Sequence, residues 1–269
     1  MKPEDFEALS AFLKQRSGLV LTPEKGYLLE SRLQPVARQF RLRDLSELTA
    51  AVRARRDEAL NRAVVEAMTT NESLFFRDQK PFELFRAHML PYFARARAGR
   101  PVRVWSAASS SGQEPYSLAM AVDEEAPKHP GLRVEIIATD LSIEMVERAR
   151  AGLYSQFEVQ RGLPIASLVK HFTQQGDKWL IAEKLRRMVQ FRQFNLLDDP
   201  APLGQFDIVF CRNVLIYFDQ ETKAKVLRAI ARIMPADGML CLGGAETVIG
   251  ITDAFRPVDG QRGLYSPAR

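Results

Sequence analysis

Cysteine is almost missing from this chain. The 269 residues hold two, Cys211 and Cys241. That is too few for a disulfide framework, and a reducing compartment is the simple reading. Histidine is nearly as scarce: His88, His129 and His171 stand far apart, and no His/Cys pair has metal-ligand spacing. This argues against a zinc or other transition-metal enzyme, so no metal is expected. No apolar run approaches the ~20 residues of a spanning helix, so no membrane insertion is expected. The opening Met1-Lys2-Pro3-Glu4-Asp5-Phe6 has no apolar signal core, and a cytoplasmic location is expected. A strong bias of charge is also lacking. Lys+Arg number 38 against 33 Asp+Glu, a net +5. The acids are too many and too interspersed for a protein that coats nucleic acid.

What is present is ordinary globular material, 46% hydrophobic and 26% charged, in a length that suits one or two domains. The chain changes character near residue 100. Before it, Phe6, Leu9, Phe12 and Leu13 recur at helical spacing, and Leu28, Leu29, Leu33 and Val36 form a second stripe. Thr22-Pro23-Glu24 reads as a helix start, Asp44 or Ser46 can cap a third helix, and Leu60, Val64, Val65 and Met68 mark a fourth. Residues 1–70 are therefore expected to form a small all-α domain. Residues 71–101 read as a linking segment with a helix from Pro81 to Ala98.

From residue 102 to 269, strands and helices alternate. Val102–Ala107, Val134–Thr139, Phe206–Cys211 and Gly238–Leu242 read as strands, with helices over Glu114–Glu125, Ile143–Ala151 and Gln220–Met234. Repeated βα units imply an α/β domain with a parallel sheet, whose ligands bind at the carboxyl ends of the strands. Lys178–Ile181 and Met188–Arg192 read as a small antiparallel β insertion around 177–194, whose second strand can also run on into the main sheet.

Polar residues gather at those strand ends. The loop Ala107-Ala108-Ser109-Ser110-Ser111-Gly112-Gln113-Glu114-Pro115 is built of small residues that let a ligand approach the backbone. It is not G-x-G-x-x-G, and it lacks a P-loop lysine, which argues against a dinucleotide or triphosphate. No G-x-S-x-G elbow makes its serines nucleophiles. Asp140 can bind a ribose diol or cap the next helix, and Ser142 can do the capping instead. Arg212 and Asn213 end a buried strand, with Tyr217 beyond them, while Cys211 reads as a small buried filler. Thr69-Thr70-Asn71-Glu72-Ser73-Leu74-Phe75-Phe76-Arg77-Asp78 precedes the linking helix. Taken alone it reads as a capped linker whose Arg77 forms a surface ion pair with Asp78 or Glu83.

Taken together, four segments are specific. Thr70-Asn71-Glu72-Ser73-x-Phe75-Phe76-Arg77, Trp105-Ser106-Ala107-x-x-x-x-Gly112-x-Glu114-Pro115-Tyr116-Ser117, Ala138-Thr139-Asp140 and Cys211-Arg212-Asn213-Val214-x-Ile216-Tyr217-Phe218-Asp219 resemble the chemotaxis receptor methyltransferases, the CheR family. The order and spacing match over nearly the whole chain. The resemblance implies a class I S-adenosylmethionine-dependent methyltransferase (Rossmann-like) domain after an all-α domain. It implies methylation of glutamate side chains on the cytoplasmic helices of chemoreceptors, with S-adenosylmethionine as cofactor, S-adenosylhomocysteine as product and no metal. Carried over by residue, it assigns cofactor binding to Asn71, Ser73, Arg77, Glu114, Asp140, Asn195, Leu196, Arg212 and Asn213, and catalysis to Arg77 and Tyr217. Two positions depart from the family pattern, which usually has Thr at Ser73 and Glu at Gln113. Both retain hydrogen-bonding capacity.

The resemblance also gives the basic helical domain a purpose. Within 32–62 there are eight arginines and four acids. Arg32, Arg38, Arg41, Arg43, Arg53, Arg55 and Arg56 are expected to dock a glutamate-rich substrate. The short hairpin around Gly176 and Asp177 points to a member that needs no C-terminal receptor pentapeptide as a tether, and a monomer is expected. Two alternatives remain in view: a methyltransferase of another protein substrate, and a non-catalytic adenosylmethionine-binding signalling adaptor. A nucleic-acid amine methylase is disfavoured, because Arg212-Asn213-Val214-Leu215 stands where an Asn/Asp-Pro-Pro-Tyr-type segment belongs.

Overall fold

A computed structural model describes residues 1–268. The described residues divide into two compact units, residues 1–70 with 217–222, and residues 71–216 with 223–268. In the first unit α1 (Pro3–Ser17), α2 (Gly26–Gln39), α3 (Leu45–Ala54) and α4 (Glu58–Met68) bury Leu9, Leu13, Leu29, Leu33, Leu48, Leu60 and Val64. Asp44 caps α3 by accepting the Glu47 N–H at 2.8 Å, and Asp57 caps α4 through the Ala59 and Leu60 N–H groups. Thr22-Pro23-Glu24 opens a short 3-10 turn ahead of α2. Residues 217–222 join this unit: the Val20 N–H donates to the Tyr217 carbonyl at 3.0 Å, and Lys14 pairs with Asp219 at 2.7 Å.

The second unit carries a seven-stranded sheet in the order β6-β2-β1-β7-β8-β10-β9. Its strands are β1 (Val102–Ala107), β2 (Val134–Asp140), β6 (Val189–Gln193), β7 (Ile208–Cys211), β8 (Met239–Leu242), β9 (Phe255–Val258) and β10 (Gln261–Pro267). The first five run parallel, and Val104 of β1 sits between Ile136 of β2 and Ile208 of β7. β10 is antiparallel to both β8 and β9. β7 and β8 are buried at every position, as expected of strands covered on both faces. The strand order reverses beside β1, which places a crevice at the carboxyl ends of β1 and β7.

The antiparallel insertion forms around the expected hairpin, but the strands that pair with Lys178–Ile181 lie ahead of it in the chain. It is a three-stranded sheet, β3 (Leu153–Ser155), β5 (Lys178–Ile181) and β4 (Phe172–Gln175), in that order. The turn at Gly176 joins β4 to β5. Residues 189–193, expected either in the insertion or running on into the main sheet, do the latter and form β6 on the edge of the large sheet. Val189 and Phe191 face its core while Gln190 and Arg192 face out. An alternating strand records one buried face but not its partner. The terminal β9/β10 hairpin was also not foreseen. Pro257 is tolerated because β9 is an edge strand.

The segment 71–101 packs within the second unit. Its helix runs over Lys80–Leu84, a π-helical turn Phe85–Met89 and Leu90–Ala96, and it buries Phe82, Phe85 and Phe93. At the amino end of the sheet Arg97 bonds Asp207 at 2.6 Å and Asp237 at 2.5 Å, and the Tyr92 hydroxyl donates to Asp237.

Candidate functional site

Five strand ends and one preceding segment build the site of the second unit. After β1, Ala108 and Ser110 take left-handed φ of 58° and 49°, and Gly112 lies at 95°. A Cβ at Gly112 would come 2.9 Å from the Ala149 Cβ and 3.0 Å from the Tyr154 hydroxyl. Glycine is thus required twice over, by dihedral and by space. Asp140, at the end of β2, holds this loop. Its Oδ2 accepts the Ser110 N–H at 2.7 Å and its Oδ1 the Ser142 N–H at 2.9 Å. Ser142 caps the following helix through the Met145 N–H. The ambiguity of the sequence is resolved: Ser142 is the cap and Asp140 organises the strand ends. A carboxylate has about four acceptor positions, enough to hold a loop and meet a diol.

The segment 71–79 lies against that loop. The Ser110 hydroxyl donates to the Asn71 carbonyl at 2.7 Å, and the Phe76 N–H donates to the Ser117 hydroxyl at 3.0 Å. Phe76, Asp78 and Gln79 are all left-handed. What holds them is Arg212, whose side chain is 1% exposed. It bonds Glu114 at 2.8 Å, Asp78 at 2.7 Å and the Arg77 carbonyl at 2.9 Å, and its guanidinium lies over the Phe82 ring. Burial works against the Arg212 charge, but Glu114 and Asp78 outweigh it and raise its pKa. Glu114 is fixed from its other oxygen by the Ser106 hydroxyl. The surface ion pair expected of Arg77 does not form. Asp78 turns to Arg212, Glu83 pairs with Lys80, and half-buried Arg77 donates to the Glu72 carbonyl at 3.0 Å.

Asn195 and Leu196 are half-buried just past β6. The Phe194 N–H donates to the Asp140 carbonyl, and Asn195 Oδ1 accepts the Leu197 N–H. Ser73 is half-buried in the 71–79 segment. Asn213, past β7, is left-handed at φ 59°. The second unit therefore brings together Asn71, Arg77, Glu114, Asp140, Asn195, Arg212 and Asn213. Tyr217 ends the 3-10 turn Leu215–Tyr217 and packs with the helical unit.

One residue escaped the sequence reading. Glu246, past β8, accepts four backbone N–H groups: Asn213, Val214, Leu215 and Gly243, at 2.7–2.9 Å. Its only signal was an acid closing Gly243-Gly244-Ala245-Glu246 after a strand. The thiols are inert: burial raises Cys211 well above its ordinary pKa and pushes Cys241 up to about 12. In the helical unit, Arg32 is committed internally. It is half-buried and donates to the Met68 and Thr69 carbonyls that end α4. Arg43 pairs with Glu47, Arg53 donates to the Glu4 carbonyl and Arg55 bonds Gln15, while Arg38, Arg41 and Arg56 are exposed.

These donors suit one group. A small-residue loop, an acid at the second strand end and the buried, unpartnered Ser109 hydroxyl fit a nucleoside. With five parallel strands in this order and an antiparallel strand beside the last of them, they define a class I S-adenosylmethionine-dependent methyltransferase. The particular family follows from comparison. Residues 71–264 match the CheR methyltransferase, SAM binding domain, and residues 4–69 match the CheR methyltransferase, all-alpha domain. The chain belongs to the CheR methyltransferase family. It is 44% identical over 264 residues to a chemotaxis protein methyltransferase of Vibrio parahaemolyticus, covering 97% of this chain and 95% of that protein. It is 41% identical over 269 residues to one of Pseudomonas putida, covering 98% of each. Against one of Borreliella burgdorferi it is 30% identical over 253 residues, covering 92% and 89%. No helix among the described residues is long and apolar enough to cross a membrane.

Proposed function

We propose that this methyltransferase is a protein-glutamate O-methyltransferase. It esterifies glutamate side chains on the cytoplasmic helices of chemoreceptors, forming glutamate 5-O-methyl esters and S-adenosylhomocysteine. The observation that carries the reading is the tie between the 71–79 segment and the strand ends. Arg212 holds the Arg77 carbonyl and Ser110 holds the Asn71 carbonyl; this anchoring of the segment beside the strand ends supports assigning Arg77 to the cofactor cleft.

Asn71, Ser73, Arg77, Glu114, Asp140, Asn195, Leu196, Arg212 and Asn213 are the residues we assign to S-adenosylmethionine, with Asp140 at the ribose and Asn195 with Leu196 near the adenine. When bound, that cofactor supplies a methyl group activated by a sulfonium. A glutamate carboxylate is already ionised at neutral pH and needs no general base. The protein's task is then orientation. Arg77 orients the substrate carboxylate, and Tyr217 positions it or the methionine end. Tight pairing with Arg77 would make the carboxylate less nucleophilic, so a positioning contact serves better than neutralisation.

Substrate docking falls to Arg32, Arg38, Arg41, Arg43, Arg53, Arg55 and Arg56. The enzyme works in the cytoplasm, as a monomer, without a pentapeptide tether, on proteins and not on nucleic acid. Radiolabelled methyl transfer to receptor cytoplasmic fragments tests the reading. Wild-type enzyme yields base-labile label. Arg77→Ala lowers kcat/KM by about 100-fold and Tyr217→Phe by about tenfold. Wild-type turnover in both variants overturns the residue roles, and base-stable label overturns the ester.

A further inference from the structure

We infer that Glu246 is a positioning residue of the cofactor site. It sets the backbone of the loop after β7, and with it Asn213, in the conformation that receives the cofactor. The inference rests on the reading of Arg212 and Asn213 as cofactor residues.

Glu246 is 9% exposed. Its Oε2 accepts the N–H groups of Asn213 at 2.8 Å and Gly243 at 2.7 Å. Its Oε1 accepts those of Val214 at 2.9 Å and Leu215 at 2.8 Å. One carboxylate therefore gathers four main-chain donors from two strand-end loops. Three belong to consecutive residues directly after Arg212, the residue that holds the Arg77 segment. Asn213 sits at φ 59°, a conformation that non-glycine residues adopt only when their surroundings enforce it. The four bonds supply that enforcement.

The chemistry is specific to a carboxylate. Each oxygen faces two N–H donors, so the amide of a glutamine leaves one pair facing another donor in either orientation. An aspartate is a methylene short of both pairs. Gly243 is explained by the same contact. Its φ is not left-handed, but a Cβ there would lie 2.6 Å from Glu246 Oε2 and 3.0 Å from the Asn213 nitrogen. Glycine makes room for the carboxylate.

Calorimetry of S-adenosylhomocysteine binding, with amide hydrogen exchange on the same proteins, tests this. Glu246→Gln is expected to raise the Kd about tenfold or more, as leaving two buried donors unpaired implies. Exchange at Asn213, Val214 and Leu215 accelerates. Gly243→Ala does the same with the carboxylate present but displaced, and it decides the matter if Glu246→Gln does not fold. Glu246→Asp falls between. Asp237→Asn is the control. It weakens the Arg97 ion pair at the opposite end of the sheet, lowers Tm and leaves the Kd within about twofold. A folded Glu246→Gln that binds as wild type overturns the inference. So does an Asp237→Asn variant of equal Tm loss whose binding is equally weakened, since the effect is then only stability. If wild-type protein binds no S-adenosylhomocysteine, the cofactor reading fails instead.

Discussion

Among the described residues of the second unit, six non-glycine residues are left-handed: Phe76, Asp78, Gln79, Ala108, Ser110 and Asn213. All six lie in loops at the strand ends or in the segment tied to them. Each such residue costs on the order of 1–3 kcal/mol and persists only when its neighbours enforce it. Here the enforcing groups are charged: Arg212 on Asp78, Asp140 on the Ser110 N–H and Glu246 on Asn213. Gln113 stands where the family usually has an acid. It is buried, and its amide oxygen accepts the Ser111 hydroxyl at 2.9 Å, so the loop is pinned without a further buried charge. His171 carries a pH prediction. It is buried beside Glu124, Asp123 and Lys170, and burial lowers its pKa from the ordinary 6.5, with Glu124 opposing. The unfolded chain therefore binds more protons than the folded one as pH falls through about 6.5. Stability is full above that value and declines below it. The wild-type Tm is expected to drop more steeply between about pH 7 and pH 5 than that of His171→Gln; parallel curves would contradict the assignment.

At the scale of elements, the small antiparallel sheet supports the loop after β1. Tyr154 of β3 is fully buried, and its hydroxyl donates to the Ser111 carbonyl at 2.8 Å. Its ring meets Phe75 edge-on at 5.0 Å and Tyr116 and Phe172 at 6.3 Å. One side chain thus couples the insertion, the 71–79 segment and the small-residue loop. Tyr154→Phe keeps the ring and leaves the Ser111 carbonyl without this donor. It should cost about 1–2 kcal/mol in urea unfolding with the m-value unchanged, and it should weaken S-adenosylhomocysteine binding a few-fold. Unchanged affinity together with unchanged stability would show that the insertion does not brace the loop.

At the scale of the whole molecule, charge is unevenly distributed. The net +5 of the chain includes +4 within 32–62, on helices and their connecting turns where Arg38, Arg41 and Arg56 are exposed. Exposed charge pairs lose strength as the screening length shrinks from ~10 Å at 0.1 M salt to ~3 Å at 1 M. Methylation of receptor fragments should therefore slow as salt rises, mainly through kcat/KM. In the same assay, free receptor C-terminal pentapeptide should leave the rate unchanged. A specificity constant indifferent to salt would remove the charged docking face, and inhibition by the pentapeptide would restore a tether.

Much of this protein was legible in its sequence. Helical stripes and caps such as Asp44 marked the first unit, and alternating strands and helices marked the second. The strand-end motifs identified the family. These features are local: apolar period, capping chemistry and residue type at a strand end need no knowledge of distant neighbours. What only the tertiary structure decided was partnership. Val189–Gln193 joined the large sheet and not the insertion, because its buried face fits beside β2. Ser142 took the cap and left Asp140 to hold the loop. Arg32 was spent on the end of α4. Glu246 reached Asn213 across more than thirty residues of chain. A hydrogen bond between groups so far apart in sequence depends on where the sheet delivers each of them, and no local pattern records it.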